Sequence, residues 1–176
     1  MFVRRLTKIG QIANFAVMTP SAYMERALAE ARAAAKRGEV PVGAVLVDPG
    51  SGSPIATDGN RMVHMRDPTA HAEMLVLRSA AFEMGTGRLA GLDLYVTLEP
   101  CPMCAAAISL ARIRKVIYGA EDPKSGGVDH GPRIFSHSTC HHRPEVVGGM
   151  AATESASLLK DFFSERREPL RMASGS

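Results

Sequence analysis

Four positions constrain this chain more than anything else in it. His71 and Glu73 stand two apart, and Cys101 and Cys104 stand three apart, with Pro100 and Pro102 flanking the first cysteine. Cysteines three residues apart share one face of a helix. The N-terminus of a helix also favours thiolates electrostatically, and proline suits the first helical position. A lone Cys-x-x-Cys fits either metal ligands or a thioredoxin-like redox pair. His71 shifts the balance, because it begins another predicted helix and precedes a carboxylate by two residues. One His and two Cys fill three tetrahedral positions of a zinc ion and leave the fourth open to water, the arrangement of a catalytic rather than a structural zinc. Zinc acidifies that water, and a neighbouring carboxylate carries its proton. On this reading Glu73 is the base and not a fourth ligand. The strongest rival is a closed structural zinc, completed by Cys140, His141 or His142.

The rest of the chain reads as alternating helices and strands. Thr19-Pro20-Ser21 is a helix start. The helix runs to about Lys36 with Met24, Ala27, Leu28, Ala31 and Ala35 on one stripe, and Gly38 stops it. Val40–Val47 is apolar almost throughout, the mark of a strand covered on both faces. Gly43 within it signals close backbone approach. After an Asp-Pro-Gly turn, Ile55 and Ala56 begin a short partner strand that fades toward Asn60. A loop follows, then a helix over Thr69–Glu83 in which Leu75, Leu77, Ala80 and Ala81 are buried. Asp93–Leu98 is a strand, Pro102–Ala111 a short Ala-rich helix, and Lys115–Tyr118 another strand. Gly119, Pro123, Gly126, Gly127, Gly131, Pro132 and Pro144 mark residues 119–144 as loop. Glu145–Val147 forms an edge strand. Thr153–Arg167 is a last helix with Leu158, Leu159, Phe162 and Phe163 inward. This order predicts helices on both faces of one mixed sheet.

Composition sets outer bounds. A chain of 176 residues is one domain's length. Three cysteines, an odd number, argue against a disulfide framework and for a reducing, cytoplasmic compartment. Aromatic residues are 5% of the chain, which excludes a broad base-stacking platform. A net charge of +3 is compatible with RNA but does not demand it. The apolar positions of Ile9–Met18 are too few to cross a bilayer, so no membrane association is expected. Residues 1–18 are expected to be a disordered extension, 19–168 the folded domain and 169–176 a tail.

His-x-Glu followed by Pro-Cys-x-x-Cys is the pattern of zinc nucleobase deaminases. Three segments extend the likeness: Glu39-Val-Pro-Val-Gly-Ala-Val-Leu-Val47, Asp67-Pro-Thr-Ala-His-Ala-Glu73 and Leu94-Tyr-Val-Thr-Leu-Glu-Pro-Cys-Pro-Met-Cys104. With Tyr118-Gly-Ala-Glu-Asp-Pro-Lys124 and Phe162-Phe163, they make residues 20–168 resemble the bacterial tRNA-specific adenosine deaminases of the cytidine deaminase-like superfamily. The resemblance implies a three-layer α/β/α fold with a five-stranded mixed sheet. It implies a homodimer, with zinc on His71, Cys101 and Cys104 and proton transfer by Glu73. The implied reaction is conversion of adenosine to inosine at the wobble position of a tRNA anticodon stem-loop. Asn60 would contact the target nucleoside, the backbone around Ala72 the base edge, and Val42 and Leu98 would line the pocket. Asp122, Lys124 and His137 would stand in loops beside the RNA, with Arg166 and Arg167 at the basic end of the last helix. The loop from Gly126 to His142 departs from the enterobacterial pattern. The core motif is shared with guanine and cytosine deaminases, so a free-base deaminase is the alternative, and an RNA-binding protein with structural zinc a second one.

Overall fold

The computed structural model describes residues 19–173, with side chains through Arg167. The expected extension at 1–18 lies outside them. Helix α1 (Pro20–Lys36) starts as its sequence requires: the Thr19 hydroxyl accepts from the Ala22 N–H, and Gly38 leaves the helix in a left-handed conformation (φ +82°). Strands β1 (Gly43–Asp48) and β2 (Ser53–Gly59) form an antiparallel hairpin. A single turn, α2 (Met62–Met65), leads to α3 (Ala72–Met84). Then come β3 (Asp93–Leu98), α4 (Pro102–Ala111), β4 (Lys115–Ala120), β5 (Glu145–Val147) and α5 (Ala152–Ala173).

The five strands form one sheet in the order β2-β1-β3-β4-β5. β1 runs antiparallel to both neighbours, whereas β3, β4 and β5 run parallel. The sheet is therefore mixed, with the expected edge strand at 145–147. Alternation along β1 explains the layers. Ala44 and Leu46 pack with Val76, Leu77, Ala105 and Ile108 of α3 and α4. Val45 and Val47 pack on the other face with Tyr23, Met24, Ala27 and Leu28 of α1, and Leu158 of α5 borders that cluster. In β3, Leu94 and Val96 join the first core and Tyr95 the second. This is the three-layer α/β/α fold.

Several boundaries moved, each for a local reason. β1 begins at Gly43, not Val40, because Pro41 has no N–H for the ladder and the chain turns through a Val42 N–H to Val40 carbonyl bond of 2.8 Å. β2 begins two residues before Ile55, at Ser53, and stays paired through Gly59, next to the Asn60 toward which it is expected to fade. α3 begins at Ala72, not Thr69, because the Asp67 carboxylate takes both the Thr69 N–H (2.8 Å) and hydroxyl (2.7 Å) in a tight turn. Within α3, Val76 is fully covered while Leu75 is only half-buried. α2 was expected as loop; its first amides are held from outside, by the Glu39 carboxylate. β4 runs two residues past Tyr118 to Ala120, and α5 continues beyond Arg167 to Ala173. In α5, Phe162 is buried and Phe163 is 43% exposed, so only one of that pair points inward.

Gly43 bears out the expectation of close backbone approach. A Cβ there would stand 2.1 Å from the Ala27 carbonyl oxygen and 2.5 Å from the Ala31 nitrogen. Both are backbone atoms of α1 and cannot move without shifting the helix. Gly43→Ala is therefore expected to destabilise the fold by about 3 kcal/mol. Urea unfolding followed by circular dichroism measures it, and an unchanged midpoint would refute the close contact.

Candidate active site

Two helices point their N-termini at one place. His71 caps α3 and Cys101 caps α4, both with extended backbone (φ −73°, ψ 152° and φ −67°, ψ 169°). β3 delivers Cys101 directly from its end, and Pro102 occupies the first helical position, so Cys104 falls one turn further along the same face. The His71 Nδ1 stands 3.7 Å from the Cys101 Sγ and 3.5 Å from the Cys104 Sγ. All three ligand atoms lie within 4.8 Å of one another.

These separations fit a metal. Two ligands on one tetrahedral zinc, with Zn–S near 2.3 Å and Zn–N near 2.05 Å, stand about 3.6 Å apart. The donor set is also right in kind: two thiolates and an imidazole suit zinc, and the two helix N-termini favour the thiolates. In the chain alone, the Cys101 thiol is pushed down to about 4, first by a hydrogen bond from Cys104 and then by His71. Cys104 moves upward, because it supplies that hydrogen bond and is buried. His71 is raised in turn by its bond to Cys101. Among the described residues no other group of His, Cys, Asp or Glu gathers in this way. The rival closed site does not form: the Cys140 Sγ lies against the Ser109 hydroxyl (3.3 Å) and the His142 carbonyl (3.1 Å), and the His142 Nε2 bonds the Ile113 carbonyl (2.6 Å).

A cavity of about 230 Å³ opens beside the cluster, lined by His71, Glu73 and Cys101 together with Val42, Asn60, Leu98 and Asp122. Glu73 is 3% exposed, and burial raises its pKa above the ordinary carboxylate value. A buried carboxylate whose proton affinity is raised above its ordinary value is suited to taking up a proton and giving it back. Val42 and Leu98 provide apolar walls. Asn60 is 4% exposed, and its Oδ1 accepts the first amide of α3, from Ala72, at 2.8 Å. That bond fixes the amide orientation and leaves Nδ2 as the free donor. It also commits the Ala72 N–H, so that group does not face a ligand.

The remaining expected residues lie elsewhere. Lys124 is exposed on the loop just beyond Asp122. The His137 Nε2 bonds the Pro132 carbonyl at 2.6 Å, and the residue lines a separate cavity of about 410 Å³ on the later turns of α4. The Arg166 guanidinium packs 4.2 Å above the Phe162 ring and bonds the Gly38 carbonyl. Arg167 bonds back to the Phe163 carbonyl at 3.1 Å. Val40, Met62, Glu99 and Ser125 also line the cavity and carried no signal in the sequence. Met62 arrives through α2, whose amides at Val63 and His64 bond the buried Glu39 carboxylate at 3.1 and 2.8 Å. An acidic residue just before an apolar run was the available clue.

Comparison with known proteins agrees with this geometry. Residues 18–120 match the family described as the cytidine and deoxycytidylate deaminase zinc-binding region. This chain belongs to that family. It is 58% identical to a tRNA-specific adenosine deaminase of Agrobacterium fabrum over 82% of this chain and 94% of the relative. A solved structure from work on A-to-I editing by tRNA:A34 deaminases superposes with a TM-score of 0.76 at 58% identity, covering 78% of this chain and 98% of that one. The guanine deaminase of Nitrosomonas europaea superposes with a TM-score of 0.67 at 25% identity, over 82% and 84% of the two chains. The chain is a deaminase of three-layer α/β/α architecture.

The ligand set makes a clear demand. The purified deaminase is expected to bind about one zinc ion per chain. Cys140→Ser should keep it and Cys104→Ser should lose it, as read by elemental analysis. Loss of metal from the Cys140 variant would restore the closed-site rival.

Proposed function

We propose that this deaminase converts adenosine to inosine at the wobble position of a tRNA anticodon, using zinc held by His71, Cys101 and Cys104. The observation that carries the substrate is the 58% identity to a tRNA-specific adenosine deaminase over nearly its whole length. The reaction adds water across the C6–N1 bond of adenine and expels ammonia from C6, so one proton of the water must reach N1 and the other the leaving amine. Zinc held by His71, Cys101 and Cys104 would supply an acidified water. Glu73 moves the proton in both directions, which its buried carboxylate can do without solvent exchange. Val42 and Leu98 hold the flat face of the base. The Asn60 Nδ2 donates to the ribose, while its Oδ1 keeps the α3 N-terminus and His71 in place.

A single-stranded loop nucleotide can swing into such a pocket at modest cost. Asp122 would stand at its edge and Lys124 just outside, where it pairs with phosphate. Arg167 offers a second cation. Arg166 does less, because its guanidinium already serves the Gly38 carbonyl and Phe162. His137, which lines the separate cavity along α4, would meet RNA outside the pocket, and the Ala72 backbone contributes through its N–H, which holds the Asn60 side chain in place. Residues 19–168 constitute the catalytic domain. No helix among the described residues is long and apolar enough to cross a membrane. The chemistry calls for a cytoplasmic enzyme, where tRNA is met and thiols stay reduced.

The decisive assay compares inosine formation in an anticodon stem-loop, the same stem-loop with a deoxyadenosine target, and ammonia release from free guanine, cytosine and adenine. The ribose stem-loop is expected to react fastest, and Glu73→Gln to retain zinc while losing at least about a hundredfold in kcat. Efficient guanine turnover with an untouched stem-loop would instead assign a free-base deaminase. Equal rates on ribose and deoxyribose targets would remove the role given to Asn60.

We also infer a homodimer. Leu110 is 80% exposed and lines a groove between α3 and α4 with Met74, Leu77, Ala81 and Ala107, and Phe82, on α3, is 86% exposed. A second copy of that surface would cover them. Sedimentation at micromolar concentration should find dimers, and Leu110→Glu should give monomers. A wild-type chain that sediments only as a monomer contradicts this.

A further inference from the structure

Two buried carboxylates border the catalytic cavity, and the mechanism uses only Glu73. Glu99 is the other. We infer that Glu99 is a positioning residue: it pins both ends of the 122–130 loop to the segment that delivers Cys101, and so sets the pocket wall made by Asp122 and Ser125. This rests on the deaminase reading of that pocket.

The geometry is unusually complete for one side chain. The Glu99 side chain has no solvent exposure. Its Oε2 accepts the Asp122 N–H at 3.0 Å and contacts the His130 Nδ1 at 2.7 Å. Its Oε1 accepts the N–H groups of Val128 (3.1 Å), Asp129 (2.9 Å) and His130 (2.9 Å). One end of the loop and the other are thus gathered on a single carboxylate. The loop crosses it so closely that a Cβ on Gly126 would stand 2.4 Å from the Oε1. The next residue repeats the attachment with backbone alone, as the Gly127 N–H donates to the Pro100 carbonyl at 2.8 Å. A Cβ on Gly127 would meet the Pro102 nitrogen at 2.5 Å. Glu99, Pro100, Cys101 and Pro102 are consecutive, so the same segment that carries a metal ligand carries the loop's anchor.

The inventory of donors separates Glu99 from a chemical role. A carboxylate has about four acceptor sites, and here five donors address them. No lone pair remains for a substrate proton. Between the anchored ends, the Asp122 Oδ1 accepts the amides of Lys124 (3.1 Å) and Ser125 (3.0 Å), and the Gly126 N–H donates to the Asp122 carbonyl at 2.8 Å. The stretch facing the cavity is therefore a tight turn held at its base. Releasing Glu99 frees that turn while leaving the three ligands and Glu73 where they are.

The test uses the zinc-loaded full chain. Glu99→Gln preserves size but turns an NH₂ toward amides that need an acceptor. Amide exchange read by mass spectrometry should speed up about tenfold or more across residues 122–130, and KM on the anticodon stem-loop should rise by about the same factor. Zinc content should stay near one per chain and kcat should change much less than KM. Glu73→Gln should do the opposite, losing kcat with loop exchange unaltered. Unchanged loop exchange in Glu99→Gln would overturn the proposal, as would a collapse of kcat with KM unmoved. If Glu99→Gln fails to fold, His130→Gln, which removes one donor, and Gly126→Ala, which pushes from the loop side, take its place. Both must loosen the same amides and raise KM; normal exchange in both overturns the assignment. A wild-type chain inactive on the stem-loop would refute the tRNA reading instead, and the exchange measurements would still decide what Glu99 holds.

Discussion

The structure depends on two helix N-termini meeting. A helix leaves its first amides unpaired and carries partial positive charge there. Bringing α3 and α4 together at that end makes a place where thiolates and an imidazole can stand close. Everything else serves the meeting. β3 ends where α4 begins, so Cys101 emerges at the carboxyl edge of the sheet. β1 lies beside β3, and the chain leaving β2 brings Asn60 under α3, where its side chain takes the Ala72 amide. Gly43 lets α1 lie directly on the sheet behind them.

Within that frame, two glutamates are driven in opposite directions by their surroundings. Glu73 is desolvated and its pKa rises. Glu99 is also desolvated, yet the amides of Asp122 and His130 and the His130 ring outweigh the burial and bring its pKa below the ordinary value. Burial penalises charge in both, but only one is compensated by a cradle of donors. The uncompensated carboxylate is free to exchange a proton, and the compensated one is free only to hold structure. The same residue type thus performs two tasks within one cavity.

Surface cations show how packing redistributes roles. Arg166 and Arg167 are adjacent in sequence and equal in charge. In the fold, Arg166 covers Phe162 and reaches the corner at Gly38, whereas Arg167 turns back on its own helix. Phe162 and Phe163 divide likewise, one buried and one exposed. Neighbours on a helix point about 100° apart, so adjacent like residues seldom share an environment.

The gathering of His71, Cys101 and Cys104, the nearby Glu73 and the layer order were readable from the chain because they rest on short-range rules. Spacing along a helix, a proline at its first position, alternation in a strand and the chemistry of His with Cys need no partner to be recognised. β3 and the cysteine-bearing start of α4 fell where those rules put them. The loop from Asp122 to His130 was readable only as glycine and proline. Its shape depends on a carboxylate 23 to 31 residues earlier, and nothing local to Glu99 distinguishes it from an ordinary charged residue. α2 is the same case, ordered by Glu39 from 24 residues away. The start of α3 at Ala72 turned on the side chain of Asp67 competing for backbone amides. The sequence by itself thus determined which atoms can bind metal and move a proton. The tertiary structure decided which polar groups are already spent on backbone and which remain for a substrate, because that depends on contacts between residues far apart in the chain.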